Sequence, residues 1–235
     1  MSIYSIQAEC DSFLYDAEKA IESELRYEDH PFDSALEESL AESVSSISED
    51  FSKRAGEIYK NFNVAYKKKD YNAAMKSLND LENTVRQWDA KLKELPPEKM
   101  SRTVIKNTIR IITIIAGIAI VLFGSFAFAK VFPTAVMKLI GRGAPKALAS
   151  KGAGTAIAYT AAFGTSYAGG KMSGTALGKL LTDHANKKLY RQKHGTEYDP
   201  NAHNGRYVAE VLLIDQWLKT IARLKKKLQD MQAGK

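Results

Sequence analysis

The sequence predicts an all-α protein, and three observations carry that reading. Apolar residues recur at three- and four-residue spacing through most of the chain, the period of a helix buried along one face. Two stretches of nineteen residues, Ile111 to Ala129 and Gly152 to Gly170, contain no charged side chain. No run of useful length alternates apolar and polar residues as a half-buried strand does. The expected architecture is a helical coiled-coil hairpin, a two-helix hydrophobic (transmembrane) hairpin and a C-terminal amphipathic helix.

Four segments follow along the chain. Residues 1–30 read as an acidic amphipathic helix, with Ile3, Ile6, Cys10, Phe13, Ala17, Ile21 and Leu25 on one stripe and Pro31 beyond its end. Residues 31–97 read as an antiparallel helical hairpin. Asp33 can cap its first arm, whose stripe is Leu36, Leu40, Val44, Ile47, Phe51, Ala55, Ile58, Phe62 and Ala65. Asp70 opens the second arm, with Tyr71, Met75, Leu78, Leu81, Val85, Trp88, Leu92 and Leu95, and Pro96-Pro97 closes it. The short Lys67–Asp70 junction makes the arms neighbours, and their narrow stripes suit coiled-coil-like packing.

Residues 98–190 hold the two uncharged stretches and the basic loop between them. At 1.5 Å per residue each stretch makes a helix of about 28 Å, close to the hydrocarbon thickness of a bilayer. The first is rich enough in Ile, Leu, Val and Phe to enter lipid unaided. The second has only Ile157 and Phe163 as large aliphatic or phenyl side chains. Its small residues instead form a ladder: Gly154, Ala158, Ala162, Ser166, Gly170, Gly174 and Gly178 recur every fourth position. On a helix this is one smooth face for close packing between arms or between subunits, and Gly117 and Gly124 offer the first stretch a similar notch. Lys130, Lys138, Arg142, Lys146 and Lys151 in the loop, with Arg110 and Lys171 at the outer flanks, are the candidate lipid-headgroup contacts.

Residues 191–235 read as a loop and a basic amphipathic helix from about Arg206 to Met231. Tyr207, Val211, Ile214, Leu218, Ile221, Leu224 and Leu228 share its apolar face, Trp217 flanks it, and Arg223, Lys225, Lys226 and Lys227 crowd its end. That broad face predicts packing against the N-terminal helices, with the acidic residues 1–50 as electrostatic counterpart.

Charge is divided sharply. Residues 1–50 hold fourteen acids and two bases, whereas residues 51–235 hold thirteen acids and thirty-two bases. An acidic head and a basic body can attract one another within a protomer or between neighbours. A mean hydropathy of -0.29 is unlike that of a polytopic carrier, so most of the mass is expected to be water-facing. The single cysteine, Cys10, lies on an apolar stripe and is expected as a buried thiol. Glu9, Asp11, Asp16 and Glu18 interrupt the first twenty residues, so no secretory signal is expected.

Catalytic patterns are absent from the sequence reading. His194, Glu197, Asp199 and His203 are metal-ligand types without a metal-site spacing. The run Gly164 to Lys171 fails as a phosphate loop, because Thr165 replaces a required glycine and Met172 stands where Ser or Thr holds magnesium. No enzyme, no cofactor and no metal site are therefore expected. Lysines spread beside apolar stretches, without interleaved aromatics, favour anionic lipid over nucleic acid as partner. The expected function is a membrane-inserting protein that oligomerises through its small-residue face and forms a pore or conduit. In architecture this resembles helical pore formers that carry one apolar hairpin among amphipathic helices. The alternative is a membrane-anchored structural or scaffold subunit, such as a virion or injection-apparatus component, without pore activity. Either reading implies a lipid bilayer and a homo-oligomer or larger assembly as partners, and a membrane location.

Overall fold

The computed structural model describes residues 3–24, 35–95, 102–124, 174, 177–179, 181–182, 209 and 212–234. Among them the regular structure is helical throughout, without strands. The helices with defined bounds are α1 (Ile3–Glu24), α2 (Ala35–Lys67), α3 (Tyr71–Glu94), α4 (Arg102–Phe123) and α5 (Ile214–Gln232). Gly174, Leu177 to Lys179, Leu181 and Thr182 are also helical.

A tight, fully bonded turn joins α2 to α3. Lys69 takes the left-handed conformation with φ of 57°. Its N–H donates to the Tyr66 carbonyl at 3.0 Å, and the next N–H, of Asp70, reaches back to Ala65 at 2.9 Å. Together these close the end of α2 as a Schellman motif does. The Asp70 carboxylate then accepts from the Ala73 N–H at 3.0 Å and caps the start of α3. Phe51 and Trp88 meet with ring centroids 5.3 Å apart, and Arg54 donates to Gln87 at 3.2 Å. These pairs are equally far from the turn, so α2 and α3 run antiparallel.

From Leu78 on the buried face of α3 follows its sequence spacing, through Leu81, Val85, Trp88 and Leu92, while at the start of the helix Ala74 is buried and Tyr71 and Met75 are half-buried. Helix α2 departs from a single narrow seam. Beside Ala55, Ile58, Phe62 and Ala65 it also buries Ser48, Tyr59 and Asn63. The reason is that α2 has two neighbours, α3 on one side and α4 on the other.

Helix α4 occupies the middle of the fold. Its neighbours are α1, α2 and α5, and 89% of its most apolar window is buried by them and the rest of the chain. Ile105, Ile109, Ile112, Ile115, Ile118 and Ile120 cover more than half of the helix circumference and are all buried. A helix so largely apolar finds stability in water only at such a position, and its remaining sector, with Lys106, Arg110 and Gly117, is the side that meets α1. Its bounds differ from the first uncharged stretch. It starts at Arg102 and stops at Phe123, where Gly124 takes φ of 73° and donates its N–H to the Ile120 carbonyl at 2.8 Å. Gly124 is thus the terminator of the helix and not a packing notch within it.

Buried polar pairs fix the rotation of α4. Asn107 Nδ2 donates to Ser48 Oγ at 2.9 Å, and Trp88 Nε1 donates to Thr108 Oγ1 at 3.0 Å. The Thr108 hydroxyl in turn donates to the Val104 carbonyl at 2.7 Å. Turning the helix would strand these groups without partners, at about 1–3 kcal/mol each.

Helix α5 begins later than its apolar spacing predicts, at Ile214, because Leu213 adopts a left-handed φ of 56°. The indole of Trp217 is in the core and not on its flank: it is 1% exposed, and its Nε1 donates to the Leu212 carbonyl at 2.9 Å. Ile221, Leu224 and Leu228 are buried as α5 packs on α3 and α4. Among the described residues the ionic partner of Lys225 is Glu82 of α3, which also pairs with Arg86, where the charge division points to the acidic N-terminal residues. Those neighbouring cations, Lys225 first, hold the Glu82 carboxyl below the usual carboxylate range.

The α2–α3 turn generates a direct expectation. A lysine at a left-handed φ carries a steric cost that glycine lacks. Lys69→Gly should raise stability by about 1 kcal/mol, read as a higher urea midpoint with an unchanged slope.

Candidate functional site

The element with chemistry to offer is α4 together with what covers it. Helix α1 lies along α4 and meets it through three kinds of contact. At the glycine of α4, a Cβ placed on Gly117 would stand 3.1 Å from Cys10 Sγ and 3.2 Å from Leu14 Cδ2, so the absence of a side chain lets α1 sit close. Cys10 Sγ donates to the Gly117 carbonyl at 3.2 Å and accepts from the Tyr59 hydroxyl at 2.8 Å. The same hydroxyl lies 3.1 Å from Asp11 Oδ1, which ties α1 to α2.

The third contact is ionic and uses the charge division of the chain. Lys106 Nζ reaches Glu22 at 2.7 Å, and Arg110 pairs with Glu18 and, at 3.7 Å, with Glu22. Arg110 also donates to Asn107 Oδ1 at 3.3 Å. The hydrogen bond from Lys106, then its charge and that of Arg110, hold the Glu22 carboxyl below its ordinary range. The acidic head therefore meets the basic flank of α4 within one protomer.

On its other side α1 meets the helical residues Gly174, Leu177 to Lys179, Leu181 and Thr182. A Cβ on Gly174 would fall 1.7 Å from the Phe13 carbonyl oxygen, and one on Gly178 would fall 2.6 Å from that of Ala17. Only glycine fits at these two backbone crossings. Two members of the small-residue ladder thus serve contact inside the chain, against Ala17 and Ala20 of α1.

Burial sets the acid–base state of the polar groups beneath α1. It pushes the Cys10 thiol up to about 12, with the Tyr59 hydrogen bond opposing, so the thiol stays protonated and can donate. It also raises Tyr59, with the neighbouring thiol adding to the effect. A cleft of about 660 Å³ lies between α1 and α2, with Glu18, Lys53 and Asn63 on its walls and Arg110 and Ile114 on its floor. Its charges are mixed in sign, and the two nearby groups with nucleophilic atoms are held neutral.

Of the residues singled out from sequence, the structure places Gly117, Gly174 and Gly178 around α1, Gly124 at the end of α4, and Arg110 in an ion pair with Glu18. Gly154, Ala158, Ala162, Ser166 and Gly170 lie outside the described residues, as do Lys130, Lys138, Arg142, Lys146, Lys151 and Lys171. His194, Glu197, Asp199 and His203 lie outside them too. Among the described residues, no group of three His, Cys, Asp or Glu side chains is placed to hold a metal ion. Sequence reasoning missed Glu18, Glu22 and Lys106 as partners across the α1–α4 contact. The opposite charge of head and body was their signal, but spacing alone does not say which faces meet. Comparison of the chain with protein-family models, with curated proteins and with solved structures returns no significant match.

Two expectations follow from this geometry. Three glycine-to-alanine changes should separate by site in thermal melting. Gly174→Ala, blocked by backbone, should cost about 3 kcal/mol, and Gly117→Ala, facing movable side chains, about 1 kcal/mol. Gly56→Ala, with nothing within 4 Å in mid-helix, should gain about 0.5–1 kcal/mol. The second concerns pH. The folded-state value of Glu22 is lowered, so its contribution is present above the unfolded carboxylate value of about 4.3 and is lost as pH falls through the folded value. The effect is small because the pair is half exposed. Glu22→Gln should flatten the acid limb of a stability-against-pH curve below about pH 4.3, while leaving the shape near neutrality unchanged.

Proposed function

We propose that this chain is a membrane-inserting helical protein that stores its apolar helix inside a bundle, transfers it to a bilayer and assembles there into a pore or conduit. The observation that carries the reading is α4. Its span Thr103–Phe123 has 21 residues and a mean hydropathy of 1.9, long and apolar enough to cross a bilayer, yet it is kept from water by surrounding helices.

Transfer from bundle to lipid leaves the Ile-rich surface of α4 in an apolar medium. The hydrophobic term, about 25 cal/mol per Å² kept from water, therefore changes little. Opposing transfer are the packing against α1, α2 and α5 and the polar contacts of Asn107, Thr108, Lys106 and Arg110. Once α1 is displaced, Lys106 and Arg110 exchange carboxylates for lipid phosphate, and each basic residue near an anionic surface gains about 1 kcal/mol. The second uncharged stretch, with its small-residue ladder from Gly154 to Gly170, supplies a face for helix–helix contact between subunits.

One observation favours a second reading. A helix packed on several sides and fixed by buried hydrogen bonds is also what a permanent core helix looks like. On that reading the chain is a structural or scaffold subunit, such as a virion or injection-apparatus component, and its outer helical faces dock a partner.

The test uses the full chain and vesicles of mixed phosphatidylcholine and phosphatidylglycerol loaded with a self-quenched dye. Dye release, with the protein retained on the vesicles through an alkaline carbonate wash, is the expected result. Retention without release would favour the scaffold, and recovery of all protein in the wash without release would overturn insertion.

A further inference from the structure

We infer that α1 is an autoinhibitory strap: it covers one face of α4 and must leave that face before the apolar helix can reach lipid. The inference rests on the membrane-inserting reading and names how that activity is held in check.

The contacts of α1 differ in kind from those of the other helices. Helices α2 and α3 are joined through Phe62, Leu78, Leu81, Leu92 and the Phe51–Trp88 ring pair, and α5 is anchored by Trp217. Of the nine largest fully buried side chains, α1 supplies one, Ile21. Across the α1–α4 contact stand the Cys10–Gly117 hydrogen bond, Leu14 against Gly117 and the ion pairs of Glu18 and Glu22, while Phe13, Ala17 and Ala20 pack on Gly174 and Gly178. Both carboxylates are about half exposed, with side-chain accessibilities of 48% and 50%, so water and salt compete for them. Contacts of this kind are the ones that open first, whereas a segment held by deep apolar packing opens only with the whole fold.

Opening at α1 also uncovers the right surface. It frees the Gly117 side of α4 and both basic residues of its flank, Lys106 and Arg110, for an anionic headgroup layer. The α2–α3 pair and α5 need not separate for that to happen.

The geometry supplies its own lock. A Cβ at position 117 lies 3.1 Å from Cys10 Sγ, which is about the Cβ-to-Sγ separation across a disulfide. Gly117→Cys in the full chain, refolded from urea in a glutathione redox buffer because burial holds the native Cys10 thiol protonated, should therefore bond α1 to α4, as read by loss of free thiol under denaturing conditions. Dye release from anionic vesicles by the oxidised variant should fall about tenfold or more relative to the same variant reduced, and dithiothreitol should restore it. Equal release before and after locking, with wild type active, would overturn the strap while leaving membrane insertion standing. Inactive wild type and inactive reduced variant would instead remove the membrane-inserting reading, and the strap with it. A pair that stays reduced when the variant is refolded from urea in a glutathione redox buffer, where both thiols are accessible, would contradict the seating of α1 on α4, and the strap falls with that seating.

Discussion

The burial of α4 is the constraint that organises this protein. Isoleucines cover more than half of the helix circumference, so the rest of the chain must enclose it. That requirement explains features that otherwise look unrelated. It gives α2 a second buried face, carrying Ser48, Tyr59 and Asn63, beyond the seam it shares with α3. It draws α5 onto α4 as well as α3. It also places α1 on the Gly117 side, closed at short range because Gly117 has no side chain. Enclosure alone would let α4 rotate or slide, and the Asn107–Ser48 and Trp88–Thr108 hydrogen bonds restrict it to one register.

Charge acts on top of that packing. The acidic head and basic body of the chain meet where Glu18 and Glu22 face Lys106 and Arg110, and a separate pairing of Glu82 with Lys225 and Arg86 ties α5 to α3. The two sites differ in exposure: the Glu82 side chain is 22% accessible, against about half for Glu18 and Glu22. Electrostatics is therefore firmer at the α3–α5 contact than at the α1–α4 contact.

Much of this was legible in the sequence where one residue type has one common use. Asp70 reads as a helix cap and is one, and the apolar spacing of α3 is the face it buries. Ambiguity enters where a residue has two uses. Gly124 in an apolar run fits a packing notch as well as a helix end, and only its left-handed φ decides for the second. Leu213 gives no warning that it breaks the last helix, because leucine rarely adopts that conformation and nothing in the local pattern demands it. Gly174 and Gly178 are sites of close approach. Spacing on one helix does not identify the partner, however, and for Gly174 and Gly178 the partner is α1 of the same chain. Burial has the same limit: nineteen apolar residues suit a bilayer and a protein core equally, since both are apolar surroundings.

Native-state hydrogen exchange, followed by mass spectrometry on the full chain in solution, tests the ordering of these helices most directly. Peptides covering Ile105 to Leu122 should exchange only with global unfolding, at the full stability of the protein, while peptides within Ile3 to Glu24 exchange earlier at a lower free energy. Exchange of the α4 peptides as fast as those of α1 would contradict the account, because a helix that opens that readily is not the enclosed centre of the fold.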